Sequence, residues 1–232
     1  MLLLVYLEKL SFLSLTLAYL LNAFLAGFSR SLADLSMLIL FIASLLLMIP
    51  KMRYIALLPI LASTLGFIFE YIGLKVGFPF GSYSYLKFQG FTFHGVPIPV
   101  IIAWGVYAYT CYLAASYLTS GRLKLLAAPL LMVLLDLALD PVMVELGLWK
   151  WYARGDWFGV PLSNYLGWFT ISAISIGLYT LITKRRDLRV KLPYYAYLPY
   201  LSSYLVIMMN SGPSSILPAY LTFSIALLLL FK

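Results

Sequence analysis

Charge is what this sequence has least of. Only 10% of its 232 residues are Asp, Glu, Lys or Arg, while 63% are hydrophobic. So little charge cannot cover a water-soluble surface, and a membrane class follows. Cys111 is the single cysteine, which rules out an internal disulfide and a Cys-based metal site. It lies in an apolar run and reads as a small packing residue. His94 is the single histidine; with no ligand beside it, it reads as a loop residue, and no metal is expected. There is no phosphate-cradling glycine loop and no HExxH. No low-complexity linker or polar tail offers a second unit, so residues 1–232 read as one integral-membrane domain. Glu8 and Lys9 interrupt the apolar N-terminus, and no small-residue cleavage site follows, so it reads as a retained first helix.

Long apolar runs are what the chain has in abundance. Eight candidate spans lie at about 10–28, 34–49, 54–74, 98–119, 123–146, 164–183, 194–210 and 214–231, near the ~20 residues that cross a bilayer core. The expected fold is an all-α polytopic membrane protein of about eight transmembrane helices. Its net charge of +8 does not imply nucleic-acid binding, because Lys184, Arg185, Arg186, Arg189 and Lys191 crowd into one short loop. With eight spans, one face receives eleven basic residues: Lys9, Lys51, Arg53, Arg122, Lys124, those five and Lys232. The other face receives five: Arg30, Lys75, Lys87, Lys150 and Arg154. The positive-inside bias then places both termini in the cytoplasm of a multi-pass cell-membrane protein.

Two stretches repeat each other. Glu70 is followed by Tyr83-Ser84-Tyr85, Gly95-Val96-Pro97-Ile98 and Trp104. Asp136 is followed by Trp149-Lys150-Trp151, Gly159-Val160-Pro161-Leu162 and Trp168. From acid to first aromatic is thirteen residues in both, and from the GVP glycine to the tryptophan is nine in both. Residues 54–119 and 123–183 are therefore expected to form an internal parallel repeat, the core of the domain. Asp140 lies one turn beyond Asp136 on the same helical face. Pro141 then frees the Leu137 carbonyl, and a bend is expected there. Glu145, further round the helix, reads as a solvated helix-end charge.

An acid at membrane depth is a functional candidate. No Lys or Arg lies mid-span to neutralise Glu70, Asp136 or Asp140. Desolvation and mutual repulsion disfavour charge, so at least one of the three is expected to hold a proton at neutral pH. A buried neutral carboxylic acid is a proton donor in an apolar pocket. Aromatic faces are the second resource, since there are 19 tyrosines. Most aromatics read as an interfacial belt, but Trp104 and Trp168, with Tyr83, Tyr85, Trp149 and Trp151, are candidates to face a cavity and stabilise a cation. Asn164 reads as a helix cap or a polar pocket group.

As a set, Glu70-x-x-Gly73, Phe78-Pro79-Phe80-Gly81-x-Tyr83-x-Tyr85, Gly95-Val96-Pro97, Asp136-x-x-x-Asp140-Pro141, Gly147-x-Trp149-x-Trp151 and Gly159-Val160-Pro161-Leu162-x-Asn164-x-x-Gly167-Trp168 resemble the membrane carotenoid-biosynthesis hydratases. That family includes the bisanhydrobacterioruberin hydratases and carotenoid 1,2-hydratases. The resemblance covers about 70–168. It implies addition of water across the terminal isopropylidene C=C of a long acyclic carotenoid, with no redox cofactor. The partners would be the polyene, water and the lipid bilayer. It further implies Asp140 or Asp136 as proton donor, Glu70 on the water, and Trp104, Trp168 and loop tyrosines around the cation. Two other readings stay open. A membrane carotenoid cyclase would lose the cation by ring closure, and a proton-coupled small transporter or lipid-binding protein would use midplane acids differently.

Overall fold

The computed structural model describes residues 2–86, 90–153, 155–184 and 186–231. Lys87, Arg154, Arg185 and Lys232, counted above for charge, lie outside them. Eight α-helices follow one another: α1 (Leu2–Ala26), α2 (Arg30–Met48), α3 (Leu57–Val76), α4 (Ile98–Leu118), α5 (Lys124–Glu145), α6 (Leu162–Ile182), α7 (Leu198–Met209) and α8 (Ile216–Leu230). The first six are long and apolar enough to cross a membrane, and the chain is a multi-pass membrane protein. The last two fall short of the expected spans. With 12 and 15 residues they extend only about 18 and 22 Å at ~1.5 Å per residue, against a core of ~30 Å. Part of the seventh run is taken by a 3₁₀ turn over Tyr194–Tyr197.

The helix ends follow local chemistry. Ser29 caps α2, its hydroxyl accepting from the Leu32 N–H. α1 begins well before residue 10 because Glu8 does not interrupt it. The carboxylate is buried and paired with Lys51 at 2.9 Å, which ties α1 to the α2–α3 turn. α5 continues through Pro141 to Glu145. The Leu137 carbonyl that Pro141 frees is taken by the Trp157 indole N–H at 2.9 Å, so the missing backbone bond is replaced from a loop. Glu145 is the exposed helix-end charge expected, and it has partners besides. It accepts from the N–H groups of Gly212, Ser214 and Ser215 at 3.1, 3.1 and 2.9 Å and from the Ser215 hydroxyl at 2.5 Å. It thereby satisfies the free donors at the start of α8 and complements the helix dipole.

α3 packs on α4 and α5 on α6, while α3 also meets α6 and α4 meets α5. α1 and α2 form a hairpin held to the rest through α7 and by hydroxyl contacts: Tyr19 to Thr110 at 2.8 Å, and Tyr109 to Ser44 at 3.1 Å. Beyond one end of the four central helices lie two short strands, β1 (Tyr83–Tyr85) and β2 (Trp149–Trp151), paired antiparallel with Tyr83 opposite Trp151 and Tyr85 opposite Trp149. This ribbon joins the α3–α4 loop to the α5–α6 loop. It closes the bundle above the acids.

Candidate functional site

Among the eight acidic residues of the chain, five have structural partners. Glu8 pairs with Lys51, Asp34 with Arg30 at 3.5 Å, and Glu145 caps α8. Asp156 accepts from the Leu162 N–H at 3.3 Å at the start of α6. Asp187 accepts from the Tyr179 hydroxyl, and its backbone carbonyl accepts from Lys124. The remaining three are Glu70, Asp136 and Asp140. They are 5%, 0% and 2% exposed, and none has a cationic partner among the described residues.

Glu70 sits near the end of α3 in a cage of donors. The Trp104 indole N–H reaches one carboxylate oxygen at 3.1 Å; the Tyr85 hydroxyl reaches the other at 2.7 Å, and the Tyr83 hydroxyl donates to that same atom. The tyrosines arrive on β1, whose pairing with β2 fixes both rings over α3. Trp104 arrives on α4 through a close approach that requires Gly66. A Cβ there would stand 2.3 Å from the Trp104 ring. Burial and the adjacent Glu70 carboxyl push both phenols above their ordinary range, so they remain neutral O–H donors. Tyr83 and Tyr85, expected as cation shields, are thus first of all partners of an acid.

Asp136 and Asp140 stand one turn apart on α5, with Asn164 of α6 across from both. The Asn164 amide donates to Asp136 Oδ2 at 2.9 Å and to Asp140 Oδ2 at 2.5 Å. The two carboxyls act electrostatically on each other, and Trp149 lines the same cavity as Asp140. One amide nitrogen carries two hydrogens, so Asn164 holds the pair together as a clamp, which is a larger role than a helix cap.

The two sets of acids meet at one small cavity of about 30 Å³, lined by Glu70, Tyr83, Tyr85, Asp140, Asn164 and Trp168 among others. A water needs roughly 10–15 Å³ measured this way, so one or two fit. Trp104 and Trp168, expected to face a cavity and stabilise a cation, stack on each other at 4.1 Å and 21°. Trp168 is part of the cavity wall, whereas Trp104 presents its N–H to Glu70. Trp151 also lines the cavity, and its indole N–H is spent on the Phe80 carbonyl at 2.9 Å.

A second cavity of about 410 Å³ lies between the α1–α2 hairpin and α4, α5 and α7, and shares Val100, Trp149 and Trp168 with the first. Its wall is mainly apolar, with Leu139, Val142 and Ile207, and it carries Tyr107 three residues beyond Trp104 on α4. Sequence reasoning missed this compartment. Val100 and Tyr107 carry no signal beyond their place one turn to either side of Trp104. Among the described residues no group of three or more His, Cys, Asp or Glu side chains converges to hold a metal ion.

The arrangement therefore joins a clamped pair of buried aspartic acids, a donor-caged carboxyl, space for water and an apolar chamber lined by tryptophan. Part of the chain resembles a curated protein, the bisanhydrobacterioruberin hydratase of Haloarcula japonica. It is 28% identical over 131 residues, covering 53% of this chain and 44% of that protein. The match thus spans less than half of the relative's length. No solved structure matches. The sequence pattern of the family described as carotenoid biosynthesis protein matches residues 32–231, most of the sequence and all of the site. On that match, the chain belongs to the carotenoid biosynthesis protein family.

Proposed function

We propose that this chain hydrates the terminal isopropylidene C=C of a long acyclic carotenoid. The observation that carries the reading is the shared cavity: Glu70 and Asp140 face one water-sized space, and that space adjoins a large apolar chamber at Trp168. The relative's name, a hydratase of a carotenoid, supports the same chemistry.

In this reading the polyene end lies in the larger cavity with its terminal double bond at Trp168. The Asp136–Asp140 pair holds one proton and delivers it from Asp140 to the less substituted alkene carbon. The tertiary cation that remains lies against the face of Trp168, where the ring's electron density stabilises it. Water in the small cavity attacks the cation, and Glu70 accepts the proton that the water loses. Tyr83, Tyr85 and Trp104 hold the Glu70 carboxylate toward that water. The sum is one water added and no electron transferred, so the step needs no redox cofactor. Asn164 keeps the two aspartates together, which ties the proton to the pair and not to either residue alone.

The test is expression in a host that makes acyclic carotenoids, with mass analysis of the pigments. A gain of the mass of one water per reacted end is expected. Unchanged mass with shifted absorption would replace hydration by cyclisation, and unaltered pigments would overturn the reading.

A further inference from the structure

Each hydration leaves the site out of balance. Asp140 has given a proton to carbon, and Glu70 has gained one from water. Both carboxyls are buried, at 2% and 5% exposure, so a path inside the protein is the direct way for the proton to return before another turnover. We propose that Tyr83 is the relay that returns it, moving the proton from Glu70 to the Asp136–Asp140 pair across the small cavity. This inference rests on the hydration reading above.

The geometry singles out Tyr83. Its hydroxyl is hydrogen-bonded to Glu70, so one end of the transfer is already in contact. The same side chain lines the cavity that Asp140 and Asn164 line from the other side, and Asp140 belongs to its electrostatic surroundings. Tyr85 also donates to Glu70 and lines the same cavity, so Tyr85→Phe is the comparison variant. Trp104 reaches Glu70 through an indole N–H, which donates and cannot accept a proton in return. A phenol does both. A hydroxyl that receives a proton on its oxygen while releasing its own hydrogen passes one charge and ends neutral.

The step balances without another reactant. The Glu70 O–H bond breaks as a bond forms to the Tyr83 oxygen. The Tyr83 O–H bond breaks as its proton passes to a water in the cavity, and that water gives one of its own to Asp140. Glu70 ends as carboxylate, Asp140 as acid, and Tyr83 and the water are unchanged. Tyr83 is buried on β1 and flanked by Phe80, Tyr85 and Trp151, which hold the ring in place between turnovers.

The experiment compares the first turnover with the steady state in purified enzyme reconstituted in lipid, using an acyclic polyene and rapid quenching. In Tyr83→Phe the ratio of first-turnover rate to steady-state rate should rise about tenfold over wild type. A burst of product should appear, and the solvent deuterium effect on the steady state should grow. The burst amplitude counts folded, competent sites, so a loss of folded protein lowers amplitude without changing the ratio. If first and later turnovers fall together, Tyr83 only positions Glu70 and the relay is overturned; an unchanged ratio with full activity overturns it as well. If wild type forms no hydrated product, the failure belongs to the hydration reading itself.

Discussion

Three carboxyls without a cation set the chemistry at the residue scale. Each is buried, so an ionised form must be held by neutral donors, and the structure supplies them unequally. Glu70 receives three donors, which suits a carboxylate. The aspartate pair shares the Asn164 amide, and the two carboxyls act electrostatically on each other, which suits one proton between two acids. Asp140→Asn should therefore abolish proton delivery while keeping much of the shape. Because positioned acid or base groups contribute about 10²–10⁴-fold, activity should fall by about 10²-fold or more. In infrared difference spectra the protonated-carboxyl C=O band should disappear in the same variant. Full activity in Asp136→Asn, Asp140→Asn and Glu70→Gln alike would place the reaction elsewhere. All three acids were legible in the sequence, because a carboxyl inside an apolar helix stands out against its neighbours. Their division of labour was not. It depends on which donors β1 and α6 bring across the bundle, and nothing local to Glu70 announces Tyr83 or Trp104.

Elements are held around the site by close approaches and caps whose partners are distant in sequence. Gly66 makes the closest approach among the described helix glycines. A methyl group there would meet three atoms of Trp104 at 2.3, 2.5 and 2.8 Å, so Gly66→Ala must push α4 away from α3 or turn the indole. Overpacking of this kind costs about 1–3 kcal/mol. The Trp104 bond to Glu70 should be lost with it. The measurement is thermal unfolding alongside tryptophan fluorescence, with a lower midpoint and an altered emission as the expected outcome. At the far end of α5, Glu145 holds the start of α8 by four contacts. Glu145→Ala should expose those N–H groups, and amide exchange at 212–216 should quicken while exchange in α3 and α4 stays slow. The six long spans and the freed carbonyl at Leu137 followed from composition and from proline geometry, whereas the last two helices are shorter than the expected spans. The expected span 123–146 already ran through Pro141, as α5 does; the replacement donor was not legible, because it comes from Trp157, twenty residues away. The strand pair was also beyond sequence reasoning, since three-residue strands carry too few alternations to show a period.

Taken as a whole, the molecule is two-faced. The acids, the β1–β2 ribbon and the Gly212 turn lie toward one end of the bundle. Lys184, residues 186–191, Lys51 and Arg122 lie at the other. The cation-free acids are thereby gathered toward the first end, while the second carries the excess of positive charge counted from the sequence and a tyrosine cluster around Tyr112, Tyr179 and Tyr197. We propose from the positive-inside bias that the second end is cytoplasmic, and the site would then draw its substrate from the outer leaflet. Cys111 provides a clean background for testing this, because it is fully buried and should stay unreactive in folded protein. Ser120 and Ser214 are exposed at opposite ends, so Ser120→Cys and Ser214→Cys report the two faces separately. In intact cells a membrane-impermeant maleimide should label Ser214→Cys and leave Ser120→Cys untouched until the membrane is opened. The reverse pattern would invert the protein in the bilayer. It would move the acid cluster to the cytoplasmic leaflet without altering the cluster, because the contacts that build the site depend on the fold and not on which compartment it faces.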